Sequence, residues 1–348
     1  MDPAPAKERY FGNMKKFLVV TTALVIASPL CAETSIEGFL IEPFAAPLFS
    51  EKDVKKIRRG DVAMTPITKT KERQLAAAVA CLLQADHDVV LRDFLEVIPV
   101  TVGSEVLAHG EIDPEDIRVS LSGLSLGDRE LEELERVVEF GGGFGLNFSA
   151  EEIAEFDASR QSSPDQRIAD ARDILVDILV GRTTAYMESG FDAVAPYRRD
   201  GATDNDIAAE IRENAEVFPK QIHQFSGFRN AWVGMPLSPS VDPDDAYYWL
   251  TLDIDKRPVI ALSHRLYVKN GDFEAVGIRD FYFTSFFDAG QSIAALLPVP
   301  EGILLVTAAH FWVDFWSGSA HIKHSMGTKM LAKQMQHLVE DKGICGNR

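Results

Sequence analysis

The chain has 348 residues, 46% of them hydrophobic and 25% charged, ordinary values for a globular protein. A chain this long builds one large domain or two modest ones around a sizeable core, which excludes a disulfide scaffold and a disordered protein. Asp and Glu number 53 against 35 Lys and Arg, a formal charge of −18. A surface this acidic repels phosphate backbones and anionic headgroups, so nucleic-acid binding and electrostatic adhesion to a membrane drop out as leading functions.

Residues 14–32 read MKKFLVVTTALVIASPLCA. Lys15 and Lys16 make a basic start, Phe17 to Ala27 an apolar run, and Ser28-Pro29 breaks any helix ahead of the small Ala32. This is the layout of a secretory signal peptide, and the run is too short for a comfortable membrane span. The expected organisation is a leader over 1–32, with its signal starting at Met14, and a single domain over 33–348. Leu30 precedes Cys31 where a lipoprotein signal would carry a small residue. After processing, Cys81 and Cys345 remain. An oxidising compartment would let them pair. Cys81 lies in an apolar run that suits a buried free thiol, and the free thiol is the expectation here.

Along the chain, SEKDVKKIRR reads as a short helix, and two strands follow within Asp61–Ala85. Asp86-His87-Asp88 offers an N-cap for the short helix VVLRDFLEVIP, which Pro99 closes. Strand and turn pieces fill Leu107–Leu126. The tract 128–218 is largely helical, with apolar spacing over 128–140 and 164–189 and a third helix over 203–218. GGGFG at 141–145 lacks the spacing of a phosphate or dinucleotide loop and reads as a turn. Beyond Ala231 the pattern becomes strands at 247–255, 258–268, 278–287, 293–299 and 303–316, an antiparallel meander with a hairpin turn at Lys269–Asp272. The last 25 residues place Met326, Met330, Leu331, Met335, Leu338 and Val339 on one stripe of an amphipathic helix ended by Gly343.

An early strand, a capped short helix, a meander and a long C-terminal helix resemble the START-like, or helix-grip, superfamily. The resemblance implies an α+β fold in which a curved antiparallel sheet wraps the last helix around an apolar cavity, here with a helical insertion at about 128–218. The tracts YYWLTLDIDKRPVIALSHRLYV, FYFTSFFDAGQSIAALLP and VDFWSGSAHIKHSMGTKM are also similar to the C-terminal half of a family of secreted bacterial proteins of unassigned activity. The matching positions are Tyr248, Trp249, Pro258, His264, Tyr282, Phe287, Asp288, Asp314 and Gly318. Ala309-His310 stands where that family has Asn-Arg, so no role of that Arg transfers.

Polar residues inside apolar strands need partners, which singles out His264, Asp288, His310 and Asp314. His264 shares a strand face with Leu262 and Leu266 and is expected to point inward, near an acid or hydroxyl. On the last strand, Ala309, Phe311, Val313 and Phe315 alternate with His310, Trp312, Asp314 and Trp316. The simpler expectation puts the first set on the helix and leaves His310 and Asp314 on an outer face. Ser226, Ser263 and Ser285 are available hydroxyls, but no G-x-S-x-G elbow occurs. His321 and His324 lack the companions of a zinc site, so no metal is expected. The aromatic density of 225–316 points to an apolar ligand cavity. The expected function is a periplasmic or secreted carrier for a hydrophobic small molecule or lipid, without cofactor, lined by Trp249, His264, Tyr282, Phe287, Trp312, Met330 and Met335. The alternative is an enzyme on a hydrophobic substrate in the same cavity, with His264, Asp288 and Asp314 as acid–base candidates.

Overall fold

The computed structural model describes residues 35–40, 49–67, 73–83, 86–96, 104–124, 126–141, 145–198, 206–212, 232, 244–254, 256–270, 273–313, 320–341 and 344–345. The fold below is that of the unit Glu33–Arg348. Helices α1 (Ile36–Leu40) and α2 (Glu51–Arg58) lead into strands β1 (Ala63–Pro66) and β2 (Gln74–Leu82), then α3 (His87–Glu96) and β3 (Ser104–Ile112). Between β3 and the next strand lie α4 (Ile117–Ser120), α5 (Asp128–Phe140), α6 (Ala150–Glu155), α7 (Pro164–Ser189) and a helical stretch at 207–212, α8. Strands β4 (Asp244–Ile254), β5 (Arg257–Asn270), β6 (Phe273–Phe283), β7 (Phe287–Val299) and β8 (Gly302–Val313) precede the long helix α9 (Ala320–Asp341).

All eight strands form one antiparallel sheet in the order β1-β2-β8-β7-β6-β5-β4-β3. The chain starts α3 with Asp86 Oδ1 accepting from the amides of Asp88 and Val89 at 3.0 and 3.3 Å, and it passes from β2, next to the β1 edge, to β3 at the opposite edge. Pairing of the early strand β2 with the last strand β8 closes the meander. The result is an α+β arrangement in which an eight-stranded antiparallel sheet carries α9 on one face, packed against β1 and β2.

Period-2 alternation sorts the strands into two apolar faces. Leu75 and Ala77 of β2, Leu250 and Leu252 of β4, Ala309 and Phe311 of β8 join Leu331 and Ala332 of α9 in one core. Helix α9 approaches β2 so closely that a Cβ on Gly327 would lie 2.8 Å from Leu75 Cδ2. The opposite face carries Trp249, Leu262, Leu266, Tyr282, Val306 and Trp312, packed with side chains from α1, α2, α5 and α7. Both faces are therefore dry. The face away from α9, expected to be an outer one, is roofed by the inserted helices.

Three further expectations are corrected. Cys81 and Cys345 form a disulfide with Cα atoms 6.0 Å apart, tying the segment after α9 to β2. Met330 is 57% exposed, because the inner stripe of α9 is built from His324, Thr328, Leu331, Ala332 and Val339, all buried, with Met335 half-buried. The hairpin turn between β6 and β7 falls at 284–286, not within 288–292. Asp288-Ala289-Gly290 looks like a turn in sequence, yet Asp288 is fully buried and paired with Arg73. Gly290 has no room for a side chain, since its Cβ would meet the Phe311 ring at 2.7 Å and Asp280 Oδ2 at 2.9 Å. The true turn is pinned from the insertion, where Asn147 Nδ2 donates to the carbonyls of Phe283 and Phe287 at 2.9 and 2.6 Å. Phe286 takes φ +66° there.

Candidate functional site beneath the inserted helices

His264 sits mid-strand on β5, opposite Tyr247 of β4 and Arg279 of β6, on the face turned away from α9. It is fully buried. Tyr247 stacks on its ring with centroids 4.6 Å apart, and Tyr186 of α7 meets it edge-on at 5.8 Å. Tyr186 also lies flat on Phe281 at 3.9 Å.

The polar links determine proton positions. Arg279 Nη1 donates to the Tyr186 hydroxyl at 2.9 Å, so that hydroxyl directs its own hydrogen to His264 Nδ1 at 3.4 Å. The imidazole proton then resides on Nε2, which faces Asp245 Oδ2 at 3.6 Å, beyond hydrogen-bond reach. Burial lowers the His264 pKa and keeps the ring neutral, with Arg279 acting in the same direction and Asp245 against it. Asp245, its side chain 34% exposed, connects this buried line to solvent. Burial raises the Tyr247 pKa above the usual phenol value, with Asp245 acting in the same direction.

Arg279 is the most unusual member. It is fully buried, its second donor Nη2 goes to the Trp232 carbonyl at 2.8 Å, and its Nε meets no acceptor. Its guanidinium lies over the Phe191 and Trp232 rings at 4.1 and 4.0 Å. Burial depresses its pKa, opposed by the hydroxyls of Tyr186 and Tyr247.

The residues expected to line one cavity do not come together. His264, Trp249, Tyr282 and Trp312 lie on the face under the inserted helices, whereas Phe287 and Met335 belong to the core around α9. Trp249 is held by Ser120, whose carbonyl accepts from its Nε1 at 2.8 Å, and lies flat against Gly110 and Gly123. The Tyr282 ring carries the Arg182 guanidinium at 4.4 Å, and its hydroxyl is buried without a partner, as is Trp312 Nε1. Asp288 is withdrawn from acid–base work by Arg73, while Asp314 and Ser226 lie outside the described residues. His310 shares the insertion side with Trp312, and burial pushes its pKa down to about 4. Ser263 is on the α9 face, back to back with His264, and donates to buried Asp280, whose pKa burial raises to about 7. His324 is buried, and the side chain of His321 is outside the described ones.

Tyr186, Asp245 and Arg279 are the members that the sequence analysis missed. Arg279 and Asp280 did carry a signal, adjacent charges inside the apolar strand IRDFYF. Tyr186 carried none, because its role depends on α7 crossing β5. Among the described residues, no cluster of three or more His, Cys, Asp or Glu could hold a metal ion. No described helix is long and apolar enough to cross a membrane.

No family model and no curated protein matches the chain. A solved START superfamily protein from Mycobacterium smegmatis is similar at 16% identity and a TM-score of 0.21, over 28% of this chain and 66% of that one, just under two thirds of its length.

Proposed function

We propose that the protein is an exported binding or carrier protein for a hydrophobic small molecule or lipid, related to the secreted family its C-terminal tracts resemble. One observation carries the proposal. Tyr186, His264 and Arg279 form a compact polar anchor within a wall of Phe191, Trp232, Tyr247 and Phe281, the composition of a site for a mostly apolar ligand with one polar end. The ligand is placed here, over β5 and β6 under α7, rather than between the sheet and α9. Export is supported by the leader pattern of residues 14–32 and by the Cys81–Cys345 pairing, which persists in oxidising compartments. The test is mass spectrometry of organic extracts from protein purified from its native compartment. A copurifying apolar molecule, released in smaller amount by the Tyr186→Phe variant, is the expected result. Clean extracts together with no uptake of added lipid would sink the proposal.

A second reading is favoured by the neutral His264 between the Tyr186 hydroxyl and Asp245, an arrangement suited to general-base work. Asp245 takes the place of Asp288 in it. Conversion of the extracted ligand by the wild type, lost in His264→Gln, would establish an enzyme; ligand recovered unchanged leaves the carrier.

A further inference from the structure

Among the described residues, no carboxylate balances the charge on Arg279. Its bonding partners are a phenol and a peptide carbonyl, and the hydroxyls of Tyr186 and Tyr247 are what act on its charge. The acid of this cluster, Asp245, reaches instead for His264 at 3.6 Å and is partly in water. An arginine carries five N–H donors, and the two bonds to Tyr186 and Trp232 leave the Nε–H and the second hydrogen of each Nη unused. Nε–H with the adjacent Nη–H is the side-on fork that accepts both oxygens of a carboxylate in one plane. The aromatic faces of Phe191 and Trp232 partly offset the cost of burying this charge, but they are weaker partners than an anion. Two other arginines are served differently: half-buried Arg73 meets Asp288 and Glu210, and buried Arg182 meets Glu152 at 2.6 Å. Of these three, Arg279 alone meets no carboxylate among the described residues.

We propose that Arg279, with Tyr186 beside it, anchors the carboxylate of an otherwise apolar monocarboxylic acid. The inference rests on the binding reading above and specifies its ligand. A single unbalanced positive charge, with Asp245 in the same cluster, matches a monoanion and disfavours a phosphate dianion. The Tyr186 hydroxyl, which accepts from Arg279 Nη1 and gives its one hydrogen to neutral His264 Nδ1, fixes the guanidinium in place rather than touching the carboxylate itself.

The experiment measures binding of dodecanoate, methyl dodecanoate and dodecyl phosphate to the delipidated full chain at pH 8, by calorimetry and by tryptophan emission. Dodecanoate is expected to bind about 10–100-fold more tightly than its ester, the span of a charge-assisted hydrogen-bond pair. Arg279→Gln should abolish that preference, and Arg279→Lys should restore only part of it. If Arg279→Gln does not fold, Tyr186→Phe, which keeps the ring and its stacking, should narrow the preference several-fold. Equal affinity for acid and ester would overturn the carboxylate assignment while leaving an apolar carrier standing. Tighter binding of the phosphate would overturn the assignment as well. No binding of any probe, with clean organic extracts, would remove both the assignment and the reading beneath it.

Discussion

Loss of the Cys81–Cys345 bridge offers the sharpest test of how the two ends of the fold are joined. The bonded residues are 264 positions apart in sequence. The chain-entropy relation assigns a loop of that size a ceiling of roughly 6 kcal/mol, and native disulfides usually deliver about 2–5 kcal/mol. A unit of roughly 300 residues unfolds with about 2.1 cal/mol/K per residue, so the expected drop in Tm is about 3–8 °C. Cys345→Ser is the cleaner variant, since it leaves Cys81 as a small apolar residue in its pocket. The assay is calorimetric unfolding of wild type and variant, each with and without reductant. Reductant should lower the wild-type Tm to that of the variant and leave the variant unmoved. Because the Cys345 amide also donates to the Val339 carbonyl at 3.0 Å, hydrogen exchange in the last turn of α9 should speed up first. Two alkylatable thiols in the denatured, unreduced protein, or a wild-type Tm indifferent to reductant, would refute the linkage.

Other consequences follow from single contacts. Gly110→Ala puts a Cβ 2.5 Å from Trp249 Nε1; stability should fall by about 1–3 kcal/mol, with a shift of tryptophan emission, and an unchanged spectrum would count against the slot. Tyr282→Phe removes a buried hydroxyl without a partner and should be neutral or stabilising by about 1 kcal/mol, whereas a large loss in urea unfolding would mean that the hydroxyl is bonded. Asp280, its folded pKa raised to about 7 from 3.8, favours the folded state at low pH and loses that contribution as pH rises through 7. Asp280→Asn should therefore stabilise more at pH 8 than at pH 4. His310 has the opposite sign: its folded pKa is lowered to about 4 from 6.5, so the unfolded chain binds the extra proton and stability falls as pH drops from 6.5 toward 4. His310→Gln should flatten that limb of the unfolding profile.

The sequence by itself determined which residues share a strand face and where most elements begin. The alternation of PVIALSHRLYV put His264 with Leu262 and Leu266, and its buried neighbours Tyr186 and Tyr247 are indeed hydroxyl-bearing. Asp86 declared the start of α3, and the apolar run after Gly302 declared β8. These are local properties, set by backbone geometry and by nearest neighbours, and they survive in any context. Tertiary structure alone decided what covers each face. Alternation reports two sides of a strand without naming the solvent side, and in a sheet roofed on both faces polarity no longer marks the outside. The partners of Arg73, Arg182 and Arg279, which are Asp288, Glu152 and Tyr186, come from other elements and no local pattern names them. The turn at 284–286 was hidden for the same reason, being held by Asn147 from across the insertion. On α9, hydropathy assigned Met330 inward, but the close approach at Gly327 rotates the helix so that Thr328 and Leu331 face the sheet and Met330 faces water. A candidate site assembled from β5, β6 and α7 exists only once the inserted helices have closed over the strands, which is why His264 was legible in sequence and Tyr186 was not.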